Sequence, residues 1–161
     1  PEEIPFYYLA LDRGWKVAPV AAQDNHSPDW GTRAEFSGVY ADELTPESLL
    51  EAFKARRFFA TNDRPMKIWL DANGIPMGGD VTADEVTFNI TASRPDGTPV
   101  QSLKIISNEA RVVASWTPST ADFTVSHTMK VKFDDTRWFV ALAMMADGRF
   151  SISAPVWVKK K

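Results

Sequence analysis

The sequence has no cysteine and only two histidines among its 161 residues. The absence of cysteine excludes a disulfide scaffold and any metal site built from thiolates. It leaves the localisation open between cytoplasmic and extracytoplasmic, because exported bacterial proteins also often lack cysteine. With two histidines, any metal site has to draw most of its ligands from carboxylates or from elsewhere.

Long apolar runs and an excess of positive charge are also missing. No apolar stretch approaches the ~20 residues that span a bilayer, and no secretory signal is visible, so we expect no membrane partner. Lysine and arginine number 18 against 21 aspartates and glutamates, for a net charge of -3. This balance argues against a nucleic-acid partner, which usually needs a basic surface. Hydrophobic residues make up 44% of the chain, enough for a packed core.

The first third of the chain has the pattern of a helix, a buried strand and a second helix. Pro5–Arg13 carries apolar residues at helical spacing and is followed by Gly14, which predicts a helix over about residues 3–13. The continuous apolar run Val17–Ala22 is typical of a strand buried on both faces. Threonine, proline and glutamate at residues 45–47 form a strong helix start. This order indicates a short α/β unit.

After residue 63 the apolar period changes from 3.6 residues to two, which predicts β-strands. The predicted strands are residues 66–71, 86–93, 101–107, 111–116, 123–133, 137–145 and 150–158. Short strands separated by Asn-Gly, Asp-Gly and Asp-Asp turns favour an antiparallel, immunoglobulin-like β-sandwich. We therefore predict an α+β chain, with a short α/β part at residues 1–63 and a β-sandwich at residues 64–161.

A polar cluster directly after the apolar run holds the main candidate site. Asp24 and His26 are two residues apart, and in an extended strand such residues point to the same side. A carboxylate oxygen and an imidazole nitrogen are ligands that Zn²⁺ and Mn²⁺ accept, although a catalytic metal needs three or more. Asp29 and Glu35 could add a ligand or an acid–base group. The alternative is a loop-capping pair, with Asp24 closing an Asx turn and His26 half exposed.

The pair lies in the first of three segments that form a wider pattern: GWKVAPVAAQDNHSPDWG, TPESLLEAFKARRFFAT and IWLDANGIPMG, in this order. Together they resemble the C-terminal region of the CehA/McbA-type metallohydrolases of the PHP (polymerase and histidinol phosphatase) superfamily. That family has a distorted βα barrel whose strand ends bind two or three divalent metals. Its final metal motif, Asp-x-His, matches Asp24-Asn25-His26, and the end of the chain, residues 152–158, resembles the family's β-sandwich tail.

The resemblance implies a metal site shared with residues outside this sequence. Asp24 and His26 would be metal ligands, Gln23 and Asn25 could orient them through hydrogen bonds, and Arg33 could face an anionic substrate. The family's opening His-x-His motif and its middle glutamate and histidine ligands are missing here. The implied cofactor of the complete enzyme is Zn or Mn, and this chain alone could lack it.

The implied protein is the C-terminal portion of a metal-dependent hydrolase, and we expect it to be inactive as this fragment alone. Residues 1–63 would be the end of the PHP-like barrel domain and residues 64–161 its accessory β-sandwich. The start at Pro1-Glu2-Glu3, without methionine, also favours a fragment. The reaction would be hydrolysis of a phosphoester, or of a carbamate or carboxylic ester, by metal-activated water. The expected partners are a small ester-like substrate and the missing N-terminal barrel portion or another copy of the chain.

A second hypothesis is a non-catalytic, immunoglobulin-like binding module for carbohydrate or protein. It predicts that Asp24 and His26 are ordinary loop residues and that at least two tryptophans of the β-part are exposed in a row. The alternative for these tryptophans is that they fill the sandwich core and its junction with the α/β part. The tryptophans concerned are Trp69, Trp116, Trp138 and Trp157. The first hypothesis also predicts that Asp24 and His26 share an open cleft at the end of a strand. We further expect the α/β part to pack on the sandwich or on another chain, with Phe6 and Trp15 covered.

Overall fold

The computed structural model of the protein describes residues 3–161. The helices are α1 (Ile4–Asp12) and α2 (Pro46–Lys54). The strands are β1 (Phe36–Val39), β2 (Phe58–Thr61), β3 (Lys67–Ala72), β4 (Ile75–Pro76), β5 (Asp80–Thr82), β6 (Glu85–Ser93), β7 (Ser102–Ser107), β8 (Arg111–Trp116), β9 (Asp122–Lys130), β10 (Arg137–Met144), β11 (Phe150–Ser153) and β12 (Val156–Lys159). None of the helices in residues 3–161 is long and apolar enough to cross a membrane.

The strands form two β-sheets, which pack face to face. β10 is the centre of the larger sheet, because it pairs with β7 along one edge and with β11 and β12 in turn along the other. β2 and β1 extend this sheet beyond β11, β8 extends it beyond β7, and β5 joins β12 in parallel. The smaller sheet is antiparallel, in the order β4-β3-β6-β9. The α+β class and the β-sandwich predicted from the sequence are confirmed.

The main core lies between the two sheets. In β6, Val86, Phe88 and Ile90 are fully buried and alternate with half-exposed polar residues, which is the period of two that the sequence shows. The ring of Phe88 lies 4.8 Å from that of Phe139 in β10, centroid to centroid, across the space between the sheets. At ~25 cal/mol per Å² of buried apolar surface, this core is the main source of stability.

A second core covers the outer face of the larger sheet. β10 is apolar along almost its whole length because its alternate residues face different cores. Trp138, Val140 and Leu142 face the second core, and Phe139, Ala141 and Ala143 face the first. Helix α1 covers Trp138, and the Tyr8 ring stacks on the indole at 5.3 Å between centroids.

Helix α1 matches the predicted position but buries a different face from the one expected. Gly14 follows it with a φ of 82°, the left-handed conformation expected after a helix end. Tyr8 and Leu11 are the buried residues, whereas Phe6 is 73% exposed and Trp15 is 62% exposed. The expectation that Phe6 and Trp15 would be covered is wrong for the described chain. The cause is the docking of α1 through Tyr8 and Leu11 onto Trp138.

The predicted strand at Val17–Ala22 is also wrong, because these residues have no regular secondary structure. The backbone of this segment lies beside β1, but its hydrogen bonds to that strand go to the Ser37 side chain and not to the strand backbone. Ala21 N donates to Ser37 Oγ at 3.1 Å, and Ser37 Oγ donates to Ala21 O at 3.1 Å. A strand needs a neighbouring backbone to complete its hydrogen bonds, and none in the described residues pairs with this run.

Helix α2 and most of the strands after residue 63 follow the sequence pattern, whereas β1, β2, β4 and β5 are not among the predicted strands. Thr45 caps α2 by accepting a hydrogen bond from Ser48 N at 3.3 Å, and Pro46 occupies the first turn. The segment predicted as the last strand, residues 150–158, forms two strands, because Ala154 and Pro155 separate β11 from β12. β2 pairs with β11, so strands before residue 63 share a sheet with the sandwich. The division into residues 1–63 and 64–161 stays a prediction.

Candidate functional site

Asp24 and His26 lie next to each other on an exposed loop. Their nearest atoms, Asp24 Oδ1 and His26 Nε2, are 3.9 Å apart. The two side chains are 99% and 90% exposed, respectively. The approach does not come from an extended strand end, as the sequence predicted, because Asp24 has a positive φ of 45°. The left-handed conformation bends the chain here, and the two side chains still converge.

The surrounding loop is held by its own polar side chains. Gln23 Oε1 accepts from Gly31 N at 2.7 Å, which ties the two ends of the loop together. Asn25 Nδ2 donates to Asp29 Oδ1 at 3.0 Å, and Ser27 Oγ donates to the same oxygen at 2.8 Å. These two hydrogen bonds, that from Asn25 first, hold the pKa of Asp29 below its usual value. The loop therefore has a defined shape around Asp24 and His26.

The other predicted site residues make their polar contacts within this loop and not with Asp24 or His26. The hydrogen bonds of Gln23 and Asn25 end on Gly31, Ser27 and Asp29, and none reaches Asp24 or His26. Arg33 Nε lies 4.0 Å from Asp29 Oδ2, so its nearest charge partner is in the same loop. Within residues 3–161, no group of three or more His, Cys, Asp or Glu side chains is arranged to hold a metal ion.

A cavity of about 310 Å³ lies beside the same segment, between α1, residues 19–22, β2 and β11. Its walls are mostly apolar and include Ile4, Val20 and Ile152. Tyr7 lines it, and the Tyr7 hydroxyl is buried with no hydrogen-bond partner among the described residues. An unpaired buried polar group costs about 1–3 kcal/mol, so the Tyr7 hydroxyl lowers the stability of the packing around α1.

A shallower pocket adjoins this cavity, and the two share Ala21, Ala22 and Glu35 as lining residues. The shallower pocket is also lined by Gln23, whose side-chain nitrogen Nε2 is buried without a hydrogen-bond partner. Glu35 therefore stands between two spaces, each lined by a residue with an unpaired polar atom. The sequence offered Glu35 as a candidate ligand or acid–base group, and it did not single out Tyr7.

Burial raises the pKa of both tyrosines of α1. The pKa of Tyr8 rises to about 12, and that of Tyr7 rises well above its ordinary value, helped by the neighbouring Tyr8. Desolvation is the first cause in both cases, because it disfavours the phenolate. Tyr7 is therefore a neutral hydrogen-bonding group at physiological pH.

The tryptophans of the β-part do not form an exposed row. Trp138 and Trp157 are buried, at 1% and 4% exposure. Trp69 and Trp116 are half-buried, and Trp69 packs edge-on against Tyr40 at 4.8 Å between ring centroids. The exposed tryptophan row predicted by the binding-module hypothesis is therefore not found, and the rings belong to the cores. Asp24 and His26 are exposed loop residues, which that hypothesis also predicted.

Sequence reasoning also missed a buried charge cluster at the ends of β2 and β6 and the start of β11. Asp63 is fully buried and its Oδ1 accepts from Arg94 Nη2 at 3.1 Å and from Arg149 Nη1 at 2.7 Å. Arg94 Nε lies 3.0 Å from Asp63 Oδ2, an ion-pair contact too bent to be a hydrogen bond. Asp96 and Asp147 complete the cluster at its exposed side. This charge cluster stabilises the fold and lies apart from the Asp24 loop.

Comparisons with known proteins found no matching family model and no matching curated protein. The function is therefore inferred from the chemistry of the residues and their positions.

Proposed function

We propose that the chain is the C-terminal portion of a metal-dependent hydrolase, with Asp24 and His26 as two of its metal ligands. The observation that carries the proposal is the approach of Asp24 Oδ1 to His26 Nε2, at 3.9 Å on a solvent-open loop. The order of the three sequence segments supports the same assignment, since they resemble the end of a PHP-type enzyme.

The two side chains suit a Zn²⁺ or Mn²⁺ ion in ligand type and nearly in spacing. Metal–ligand bonds of ~2.0–2.1 Å in a tetrahedral site put ligand atoms about 3.4 Å apart, so the pair has to close by only about 0.5 Å. Both side chains are almost fully exposed and can rotate freely by that amount. Two ligands make half a site, and the remaining ligands would come from a further polypeptide.

The backbone of Val17–Ala22 supports a role as the last strand of an incomplete barrel. This apolar run carries backbone N–H and C=O groups that no strand in the described residues pairs with. Free backbone groups on an apolar segment are a template for strand pairing. A neighbouring strand supplied by the N-terminal barrel portion would satisfy them and would bring its own metal ligands to the same end.

Exposed apolar side chains in the first third of the chain support the same view. Ten large hydrophobic residues are exposed in residues 3–161, and eight of them lie before residue 54. They are Phe6, Leu9, Trp15, Val20, Trp30, Leu44, Leu50 and Phe53. The sandwich contributes only Ile75 and Val112. Phe6, Leu9 and Trp15 line one shallow surface pocket, which the rest of the barrel would cover, while the immunoglobulin-like sandwich would be its accessory domain.

Each residue has a defined task in the complete enzyme. When bound, the metal would lower the pKa of a water molecule and polarise a phosphoester, carbamate or carboxylic ester. Asp24 and His26 would hold the ion, while Gln23 and Asn25 keep the loop in shape through Gly31 and Asp29. Arg33 would be available to an anionic substrate.

Calorimetric titration of Zn²⁺ and Mn²⁺ into the chain tests the proposal. We expect weak 1:1 binding, because two ligands hold an ion loosely, and complete loss of that binding in His26→Ala. The chain offers a matched control in His127→Ala, since His127 is the other histidine and lies in β9.

The same two histidine variants show which results would contradict the proposal. Binding that persists in His26→Ala, or that disappears in His127→Ala, would place the ion elsewhere and contradict the proposal. A chain that binds neither metal at millimolar concentration would leave Asp24 and His26 as a loop-capping pair.

A further inference from the structure

We propose that the chain forms a two-fold symmetric dimer through its edge strand β9, which pairs in antiparallel orientation with β9 of a second copy. The two smaller sheets then become one continuous sheet. Three features of β9 favour this partner: its free backbone edge, its lack of protection and its self-complementary sequence. The interface does not depend on metal binding by Asp24 and His26.

The backbone of β9 is free along one whole side. Within residues 3–161, β6 is the only strand that pairs with β9. Just before β9, Ala121 O accepts from Arg94 N at 3.0 Å, and just after it Val131 N donates to Asp84 O at 2.8 Å. The odd-numbered residues therefore direct their backbone groups toward β6, because alternate residues of an antiparallel strand bond to opposite sides. The even-numbered residues direct theirs to the free side: residues 122, 124, 126, 128 and 130.

This edge also lacks the features that usually prevent strand pairing. Proteins protect edge strands by keeping them short, by a bulge, or by proline and charged residues along them. β9 has nine residues, without proline or glycine and without a register shift against β6, and its Asp122 and Lys130 lie only at its ends. The other edge strands in the described chain are shorter: β1 has four residues, β4 two and β5 three, while β8 has six and a register shift against β7.

The sequence of β9 is complementary to itself when it is read in the opposite direction. With the two-fold axis at Ser126, each Asp122 lies opposite Lys130 of the second copy, so two pairs of opposite charge form. Each Thr124 lies opposite Thr128 of the second copy. Opposite charges and paired threonines across antiparallel strands both stabilise a sheet.

The pairing of β9 with β6 shows that its threonines suit such a ladder. The hydroxyl groups of Thr87 and Thr128 are 2.8 Å apart, and those of Thr91 and Thr124 are 3.1 Å apart. A second β9 would place threonines beside the same two residues on their other side. The polar outer face of the smaller sheet would therefore continue across the interface.

The free backbone groups select the same register. Even-numbered residues must face even-numbered residues of the second copy, because only these have free N–H and C=O groups on that side. An axis at Ser126 meets this condition, and the two Ser126 residues then exchange both backbone hydrogen bonds. A register shifted by two residues would place Asp122 opposite Thr128 and lose both charge pairs.

Apolar side chains at the edge add a driving force. The core-facing apolar residues of β9 are half-buried, whereas the residues opposite them in β6 are fully buried. These half-buried residues are Phe123, Val125 and Met129. In the dimer Phe123 lies opposite Met129 of the second copy. Covering this apolar surface removes it from water, which favours association.

Sedimentation velocity of the full chain at increasing protein concentration tests the inference. We expect a reversible monomer–dimer equilibrium. Ser126→Pro removes the N–H group that faces the free edge but none of the bonds to β6, and should weaken the dimer at least about tenfold. The matched control is Ser126→Ala, which loses only the hydroxyl bond to Asn89 Oδ1 and should dimerise like the parent chain.

Charge variants test the pairing of the strand ends. Asp122→Lys places two lysines opposite each other at both ends of the interface and should weaken the dimer about tenfold. Adding Lys130→Asp to that variant exchanges the two charges and should restore dimerisation. Glu51→Lys is the matched control, because it makes the same change in net charge on an exposed position of α2.

Single cysteines test the register, because the chain has none of its own. In Ser126→Cys the two copies have their Cα atoms about 5.5 Å apart, within reach of a disulfide, so mild oxidation should crosslink the dimer. In Thr128→Cys the two cysteines are four residues apart along the ladder, about 13 Å, and should not crosslink.

Three results would overturn the inference. One is a chain that stays monomeric at millimolar concentration. Another is a dimer that Asp122→Lys does not weaken, or that the exchanged pair of charges does not restore. The third is equal crosslinking of Ser126→Cys and Thr128→Cys. Circular dichroism checks that each variant is folded, and the charge variants decide the outcome if Ser126→Pro is not.

Discussion

At the scale of single residues, the turn between β7 and β8 is unusual. Glu109 and Ala110 have φ values of 61° and 56°, so two consecutive residues with side chains adopt the left-handed conformation. This conformation costs roughly 1–2 kcal/mol for each L-residue other than glycine. Asp12 offsets part of that cost, because its carboxylate accepts from Glu109 N at 3.1 Å and from Trp138 Nε1 at 2.8 Å.

Replacing Ala110 by glycine should stabilise the protein. Glycine adopts a positive φ without steric cost, which outweighs the extra freedom it gives the unfolded chain. We expect the free energy of unfolding to rise by about 0.5–1 kcal/mol in urea denaturation. Ala114→Gly, in β8 where φ is not positive, should lower it by a similar amount. A loss of stability in Ala110→Gly would contradict this account of the turn.

The sequence predicts some left-handed positions and hides others. Gly14 was predicted to end α1 because glycine is the usual residue there, and its φ of 82° confirms it. Nothing in the dipeptide Glu109-Ala110 signals the same conformation, since glutamate and alanine favour helices. Their geometry depends on Asp12, which is distant in sequence and reaches the turn only after α1 has docked.

At the scale of elements, the charge cluster around Asp63 joins the ends of three strands. Asp63 follows β2, Arg94 follows β6 and Arg149 precedes β11. The side chain of Asp63 is 0% exposed and that of Arg94 only 4%, so the pair is shielded from water. The cluster therefore holds the smaller sheet to the larger one at this end.

Asp63→Asn should destabilise the protein strongly. The substitution leaves the buried Arg94 without its main counter-charge, and removing one partner of a buried pair typically costs about 3–5 kcal/mol. The matched control is Asp147→Asn, whose exposed pair with Arg149 should contribute less than about 1 kcal/mol. Equal effects of the two substitutions in thermal or urea unfolding would show that Asp63 does not link the sheets.

A helix or strand could be predicted from the sequence where its own residues carry the signal that forms it. α1, α2 and most strands after residue 63 follow from capping residues and from the alternation of apolar and polar residues. Val17–Ala22 failed because an apolar run forms a strand only beside a partner backbone. The Asp63 cluster could not be predicted, since its members are 31 and 86 residues apart in sequence.

At the scale of the whole molecule, all three tyrosines are shifted in the same direction. The chain has three tyrosines, and burial raises the pKa of Tyr8 and of Tyr40 to about 12 and that of Tyr7 well above its ordinary value. The folded state therefore keeps neutral phenols at a pH where the unfolded chain, with pKa values near 10, releases their protons.

Stability should consequently fall as the pH rises. Between pH ~10 and ~12 the unfolded state binds fewer protons than the folded state, so the free energy of unfolding decreases with pH in this window. Below pH ~10 the contribution of the tyrosines is fully present. Ultraviolet titration of phenolate, recorded together with circular dichroism, should show ionisation only as the fold is lost. A tyrosine that ionises near pH 10 in the native protein would contradict this expectation.

The sequence identified the residue types of the candidate site, but it did not identify the contacts that surround them. The sequence predicts the pairing of Asp24 with His26, and the two side chains do approach each other, but through the left-handed backbone of Asp24 and not through an extended strand end. The roles of Gln23, Asn25 and Asp29 in shaping the loop depend on which neighbours they meet, which the sequence does not specify. The cavity beside Tyr7 forms only when α1 lies across β2 and β11, so it could be found only in the folded chain.

The most direct test of the central claim is to follow the two histidine rings by NMR while Zn²⁺ is added. Because the chain has only two histidines, each ring gives its own resolved signals. The account predicts that the His26 ring responds to Zn²⁺ well before the His127 ring, and that Asp24→Asn weakens this response. A response of His127 first, of both rings equally, or one unaffected by Asp24→Asn would contradict a metal site at Asp24 and His26.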